Sequence, residues 1–148
     1  MLGFMAMANK NDSRRSACPI SVALDVLGNK WTLLVIRDLV FARKRHFRDF
    51  LASPENIASN VLASRLRTLE AQGIVSRRVD PHSARKVIYE LTPKGIDLVP
   101  VLLELIRWGA KYDAKTAAPE AFTRRIDRDR EGLIAEIRAA LVKRPPAG

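Results

Sequence analysis

The chain of 148 residues holds one cysteine and two histidines, which excludes an intramolecular disulfide and leaves too few soft ligands for a closed zinc site. It lacks any apolar stretch of about 18 residues, the length that a membrane-spanning helix needs. It has no glycine-rich phosphate loop and no metal-ligand spacing. His46 and Asp49 stand three residues apart, as an acid/base pair does, but no nucleophile or second base accompanies them. A phosphate contact or a solvated site is the better reading of that pair. These absences point away from an enzyme, and neither a cofactor nor a metal is expected. The amino terminus is apolar from Met1 to Ala8, but Asn9, Lys10 and Asp12 follow too soon for a signal peptide. Residues 1–15 read as a flexible tail and the protein as cytoplasmic, with no membrane partner.

Acidic charge is also short. Sixteen Asp and Glu stand against 26 Lys and Arg, a formal net charge of +10. The excess is local: between Arg43 and Lys86, ten basic residues outweigh four acidic ones. A hydrophobic share of 47% argues against wholesale disorder, and the length suits one domain. A concentrated basic segment makes polyanions the first candidate partners, nucleic acid or an acidic membrane surface. The plainer reading is a solvated basic face.

Hydrophobic spacing orders the elements. Ile20, Ala23, Leu24 and Leu27 recur at helical spacing before Gly28. Lys30 to Phe41 is apolar almost all round, which predicts a central buried helix. A short helix with Phe47, Phe50 and Leu51 inward breaks near Pro54. The next helix runs from about Ser59 to Gln72, capped by Ser59 or Asn60 and closed by Gly73 at C′. Two β-rich runs, 74–79 and 86–91, flank a turn-rich stretch 80–85, which predicts a hairpin with a longer loop and with Arg85 and Lys86 at its base. Thr92 caps, and Pro93 opens, a helix that reaches about Tyr112. Ile96, Val99, Leu103 and Ile106 form one stripe on it, and Leu98, Leu102, Leu105 and Gly109 a second. Two apolar faces imply packing on the chain's own core and on a second chain. Phe122, Ile126, Leu133, Ile137 and Leu141 mark one carboxy-terminal amphipathic helix, ended by Pro145 and Pro146. That helix is expected to reinforce a dimer; its alternative is to pack back on its own wing.

Helix, turn, helix and hairpin is the winged helix-turn-helix order. With Leu62 at zero and about 100° per residue, Leu66 and Leu69 share its face. Asn60, Ser64 and Arg67 take the opposite face, with Ala63 beside them and Ser59 at the start. Small polar residues let such a helix sink into the major groove, where Asn suits adenine and Arg suits guanine. Arg77, Arg78, His82, Arg85 and Lys86 on the hairpin are the candidates for phosphate or minor-groove contacts. The competing function is a winged helix that binds protein, with the basic residues serving solubility. A protein-binding face carries exposed aromatic or aliphatic anchors, which this one lacks. RNA binding is weaker still, because stacking aromatics are scarce in the basic segment. Trp31 and Trp108 are candidates to line a ligand pocket near the dimer interface, but tryptophans on apolar helices usually belong to the core.

Cys18 with Pro19, "GNKWTLLVIRDL" from Gly28, "IASNVLASRLRTLEAQGIV" from Ile57 and "YELTPKG" from Tyr89 resemble the HxlR-type transcriptional regulators over about residues 18–108. The resemblance implies a mainly α fold (α+β): a winged helix-turn-helix with a two-stranded wing and additional amino- and carboxy-terminal dimerisation helices. It implies a homodimer that binds double-stranded operator DNA as a repressor or activator. Three positions depart from the family pattern: Arg48 where a capping Ser is usual, Ile88 where an acid is common, and Ala84 near a usual Pro. The expected division is a tail over 1–15, the DNA-binding domain with dimerisation helices over 16–115, and a helical extension over 116–148.

Cys18 precedes a Pro suited to N1, so its thiol is expected at a helix N-terminus, where thiolate is favoured, with Arg14 and Arg15 near. The resemblance points the same way: several relatives use a cysteine at this position to sense oxidants or electrophiles, which implies a small-molecule or oxidant effector. The other reading is an inert thiol at the dimer seam. With one cysteine, a switch requires an intersubunit disulfide, a mixed disulfide or an adduct.

Overall fold

The computed structural model describes residues 14–143; the expected tail up to residue 13 and the stop at Pro145 and Pro146 lie outside the described residues. Pro19 opens α1 (Pro19–Leu27) with Cys18 as N-cap, and Gly28 ends it through its N–H to the Leu24 carbonyl at 2.8 Å. No residue of α1 is buried. The apolar helix α2 (Thr32–Val40) is central, with Val35, Ile36, Leu39 and Val40 in the core. One carboxylate is buried with them: Asp38 is 4% exposed. It accepts from Arg37 Nε at 3.0 Å, from Lys44 Nζ at 3.2 Å and from the Ser53 hydroxyl. An unpaired buried carboxylate costs several kcal/mol, so these donors fix where the chain on either side of the next helix lies.

That helix, α3 (Phe47–Leu51), buries Phe50 and begins with Asp49 accepting the His46 N–H at 3.2 Å. Then α4 (Ser59–Ala71) buries Leu62, Leu66 and Leu69, the stripe that the sequence predicts. Its N-cap is Ala58, not Ser59 or Asn60. Ile57 is buried beside Ala58, which sets the helix start one residue early and makes Ser59 and Asn60 its first two helical residues. The end follows expectation: Gly73 takes φ +70°, its N–H reaches Glu70 O at 3.0 Å, and Ile74 N–H reaches Leu69 O at 2.9 Å. That is a Schellman closure, which needs a left-handed residue at C′.

The wing is an antiparallel pair, β1 (Val75–Asp80) and β2 (Ser83–Leu91), in register from Val75 opposite Leu91 to Val79 opposite Val87. The turn is shorter than expected. Asp80 accepts the His82 N–H at 2.8 Å and pairs with Ser83, leaving only Pro81 and His82 between the strands. Ala84 to Lys86 fall in the register break, so Arg85 and Lys86 lie near the tip of the hairpin and not at its base.

The segment Leu91 to Gly95 binds the end of α4 to the strands. Thr92 caps α5 (Pro93–Ile96) by accepting the Gly95 N–H at 3.2 Å, and donates to Ile74 O at 3.1 Å. Lys94 Nζ reaches the Gln72 carbonyl at 2.7 Å, a cation at a helix C-terminus. Helix α6 (Val99–Tyr112) follows after a break at Asp97 and Leu98, where one continuous helix was expected. Pro100 explains the break: it has no N–H for the Ile96 carbonyl, and its ring would strike that turn.

The carboxy-terminal stripe is two helices, α7 (Glu120–Arg128) and α8 (Arg130–Val142), separated by Asp129, whose carboxylate caps Gly132 N–H at 3.2 Å. Both pack on α6 of the same chain. Ile126, Leu133 and Ile134 are buried in the common core, and Arg130 Nε bonds Glu104 at 3.0 Å. The stripe therefore covers its own chain; the expectation that it faces a second chain is corrected. Residues 113–119 turn the chain back, and α6 supplies the nearest apolar face.

Gly95 is sterically required. A Cβ there would stand 2.3 Å from the Ile74 carbonyl oxygen, a backbone atom. Gly95→Ala is expected to lower stability by about 1–3 kcal/mol. Urea titration followed by circular dichroism measures it.

Candidate nucleic-acid interface

The core stripe of α4 turns its other face outward. Ser59, Asn60 and Arg67 are exposed, and Ala63 and Ser64 are half-buried. Ser64 is engaged locally: its hydroxyl accepts from Arg65 at 3.2 Å and its carbonyl from Thr68 Oγ1 at 3.0 Å. Ala63 and Arg67 line a hollow of about 350 Å³ against the wing, with Glu70, Arg77 and Tyr89. Two expected cations, Arg67 of the helix and Arg77 of β1, therefore share one hollow. A second hollow of about 560 Å³ lies between α3 and β2 and is lined by His46, Arg48, Asp49, Arg85 and Lys86 among others. Arg48, which is not among the residues expected at the site, joins Arg85 and Lys86 there. The dense basic run from Arg43 to Arg48 was the available signal.

Other basic residues hold the wing. Arg45 is buried, and its Nη2 lies 2.8 Å from Glu90 Oε1; Arg78 Nη2 reaches the same oxygen at 3.3 Å. Arg78 is exposed and pairs with Glu90 across the two strands of the wing. The Tyr89 N–H donates to the Arg45 carbonyl at 2.8 Å, fastening β2 to the start of the helix-turn-helix. His82 sits exposed at the hairpin turn.

His46 makes a second fastening. Its Nε2 lies 2.8 Å from Asp80 Oδ2, across 34 residues, a pairing that no spacing rule could find. The His82 backbone N–H, and then the His46 ring, hold the Asp80 carboxyl below its ordinary 3.8.

Cys18 is half-buried at the N-cap of α1, and its own N–H donates to Ser16 Oγ at 3.1 Å. Arg15 turns to Asp25, with Nε at 2.8 Å, and does not serve the thiol as expected. Trp31 is half-buried against the core, but Trp108 is 68% exposed on α6, against the expectation of a core tryptophan. No cluster of three potential metal ligands occurs among the described residues, and no single helix there is long and apolar enough to cross a membrane.

The HxlR-like helix-turn-helix family model matches residues 26–117, from the end of α1 through α6. The chain belongs to the HxlR-like family. It is a transcriptional regulator, not an enzyme. The HTH-type transcriptional regulator YdeP of Bacillus subtilis (strain 168) is 36% identical to this HxlR-like chain over 104 residues, 70% of this chain and 80% of YdeP. The redox regulator HypR in its oxidized form superposes with a TM-score of 0.57 at 37% identity, covering 64% of this chain and 96% of HypR. The quinone-bound form of YodB from B. subtilis superposes with a TM-score of 0.53 at 33% identity, covering 64% of this chain and 98% of YodB. Helices α7 and α8 of this HxlR-like chain lie beyond the matched segment.

The lowered Asp80 fixes a sign. A carboxyl held below its unfolded value stabilises the fold above that value, and the contribution is lost as pH falls through the folded one. Asp80→Asn is expected to loosen the wing tip at neutral pH and to remove part of the acid sensitivity below about pH 4. Amide hydrogen exchange of residues 79–87, compared at pH 3 and pH 6 (rates corrected for intrinsic exchange), measures both effects.

Proposed function

We propose that the chain is a sequence-specific regulator that binds a palindromic operator as a homodimer. The observation that carries this reading is the outward face of α4, small and polar around exposed Asn60 and Arg67, beside a hollow shared with Arg77. Asn60 and Arg67 read base edges; Ser59, Ala63 and Ser64 allow close approach. Arg77, His82, Arg85 and Lys86, joined by Arg48, meet phosphates, and Arg78 acts through Glu90 by holding the wing. No aromatic or aliphatic anchor stands on that face, which disfavours the protein-binding alternative. Such a regulator works on the chromosome, in the cytoplasm.

Titrations on operator and random duplex at several salt concentrations test this. Arg67→Ala is expected to cost about 1–3 kcal/mol on the operator and much less on random DNA. Arg85→Ala and Lys86→Ala are expected to weaken both duplexes and to flatten the salt slope by about 0.9 each. Equal loss on both duplexes for Arg67→Ala would make it a phosphate contact; no binding by wild type would favour the protein-binding module.

The dimer reading rests on apolar surface left uncovered. Val101, Leu105, Trp108 and Tyr112 share one face of α6, all exposed, and Ile20 and Leu24 of α1 are exposed as well. Two-fold pairing is the usual closed solution. Trp108→Glu is expected to halve the mass measured by light scattering, and with it to weaken operator binding; an unchanged mass would sink the role of this stripe.

Cys18 is the proposed sensing residue for an oxidant or quinone, on the strength of its N-cap position and the likeness to quinone-bound YodB. Quinone treatment is expected to weaken operator binding by the wild type and to leave Cys18→Ser unaffected. Equal responses would make Cys18 structural.

A further inference from the structure

A cavity of about 590 Å³ opens between α2, α6 and the segment that leads into α7. Leu34 and Phe41 form one wall, Leu102 and Gly109 another, and Pro119 and Phe122 the third. Phe41 and Phe122 meet edge to face across it, with ring centroids 6.0 Å apart. The size is that of a small-molecule site, and walls from three segments make it a hollow rather than a face. A Cβ on Gly109 would meet nothing within 4 Å, so the middle of α6 leaves this space open.

The lining also specifies charge. Its one ionic group, Arg37, is already held by Glu55 Oε2 at 3.0 Å and by Asp38. A charged ligand would find no counter-ion there and would lose its hydration without replacement. The stripe open to a second copy lies mostly elsewhere: Val101, Trp108 and Tyr112 point about a quarter turn away from Gly109 and Leu102, at 100° per residue, and of that stripe Leu105 also lines the cavity.

From these observations we propose that this cavity is a binding site for a neutral aromatic small molecule, completed by residues beyond the helix-turn-helix domain. Pro119 and Phe122 lie past residue 117, where the family match ends, so the carboxy-terminal extension supplies one wall of the site. The site stands apart from Cys18 and needs no covalent step. It also holds whether or not α4 reads DNA.

The test is a fluorescence titration of the full-length protein with N-phenyl-1-naphthylamine, a neutral aromatic probe. Gly109→Leu fills the cavity from a helical position where Leu is the better helix former, so this variant is expected to fold. Gly109→Ala removes the same glycine and leaves most of the space. Wild type and Gly109→Ala are expected to bind the probe alike, and Gly109→Leu to bind it about tenfold more weakly or worse. Both variants carry the same α6 stripe, so adsorption there cancels in the comparison. Light scattering on the same samples is expected to give one mass for all three proteins. Wild type without probe binding, or Gly109→Leu that binds as wild type does, would overturn the proposal. A changed mass for Gly109→Leu would also overturn it, because the cavity would then belong to packing between copies.

Discussion

The buried carboxylate of Asp38 fixes the geometry on which the rest of the interface depends. It sits on the most apolar helix of the chain, where an unsatisfied charge is expensive, and its donors come from three places: the same helix, the turn before α3 and the turn after it. Arg37 extends the network to Glu55, and the Glu55 hydrogen bond, with Asp38 adding to it, raises the guanidinium pKa further while lowering that of the Glu55 carboxyl. Satisfying one buried group thus positions both ends of α3 and the approach to α4. Hydrophobic burial of Leu62, Leu66 and Leu69 then settles the rotation of α4, and with it which side chains face outward.

Charge in this protein divides into two kinds of work. Arg45 and Arg78 converge on Glu90: the first ties the wing to the body, and the second pairs the two strands of the wing. Arg48, Arg85 and Lys86 line a hollow between α3 and the wing tip. A count of basic residues between 43 and 86 cannot separate the two kinds, because the partner that neutralises Arg45 lies 45 residues away. The net positive charge is a property of the sequence, but its usable part depends on strand pairing. The His46–Asp80 contact is of the same type. It ties the wing tip to the residue that precedes the first helix of the helix-turn-helix, and neither residue announces it.

Local chemistry was legible in proportion to how local it was. The limits of α4, its Gly73 closure, the Thr92 cap and the Pro93 start follow from short-range rules, and the structure places them within about a residue. The family segment around Thr92 to Gly95 turns out to be a single joint: a cap, an N1 proline, a cation on the carbonyl end of α4, and a glycine pressed against Ile74. Pro100 and the Asp129/Gly132 cap were visible breaks, but the apolar stripes run across them without interruption and mask them. A stripe records what a helix buries, not which chain provides the partner. That is why the apolar pattern of α7 and α8 fits packing against a second copy as well as it fits the observed packing on α6.

Helix α6 carries the consequence. Val99, Leu102 and Leu103 face the core, Glu104 and Arg107 form a polar flank that Arg130 joins, and Val101, Leu105, Trp108 and Tyr112 face outward. A helix that is apolar on opposite sides belongs in an interior. The carboxy-terminal helices cover one flank of it and leave the outward stripe bare, with Trp108 and Tyr112 among the most exposed large side chains described. Large apolar patches of this kind are uncommon on monomers and mark interaction surfaces. The extension therefore leaves that outward stripe uncovered. It narrows the exposed surface of α6 and, in folding back, walls one side of the open apolar hollow beside Gly109.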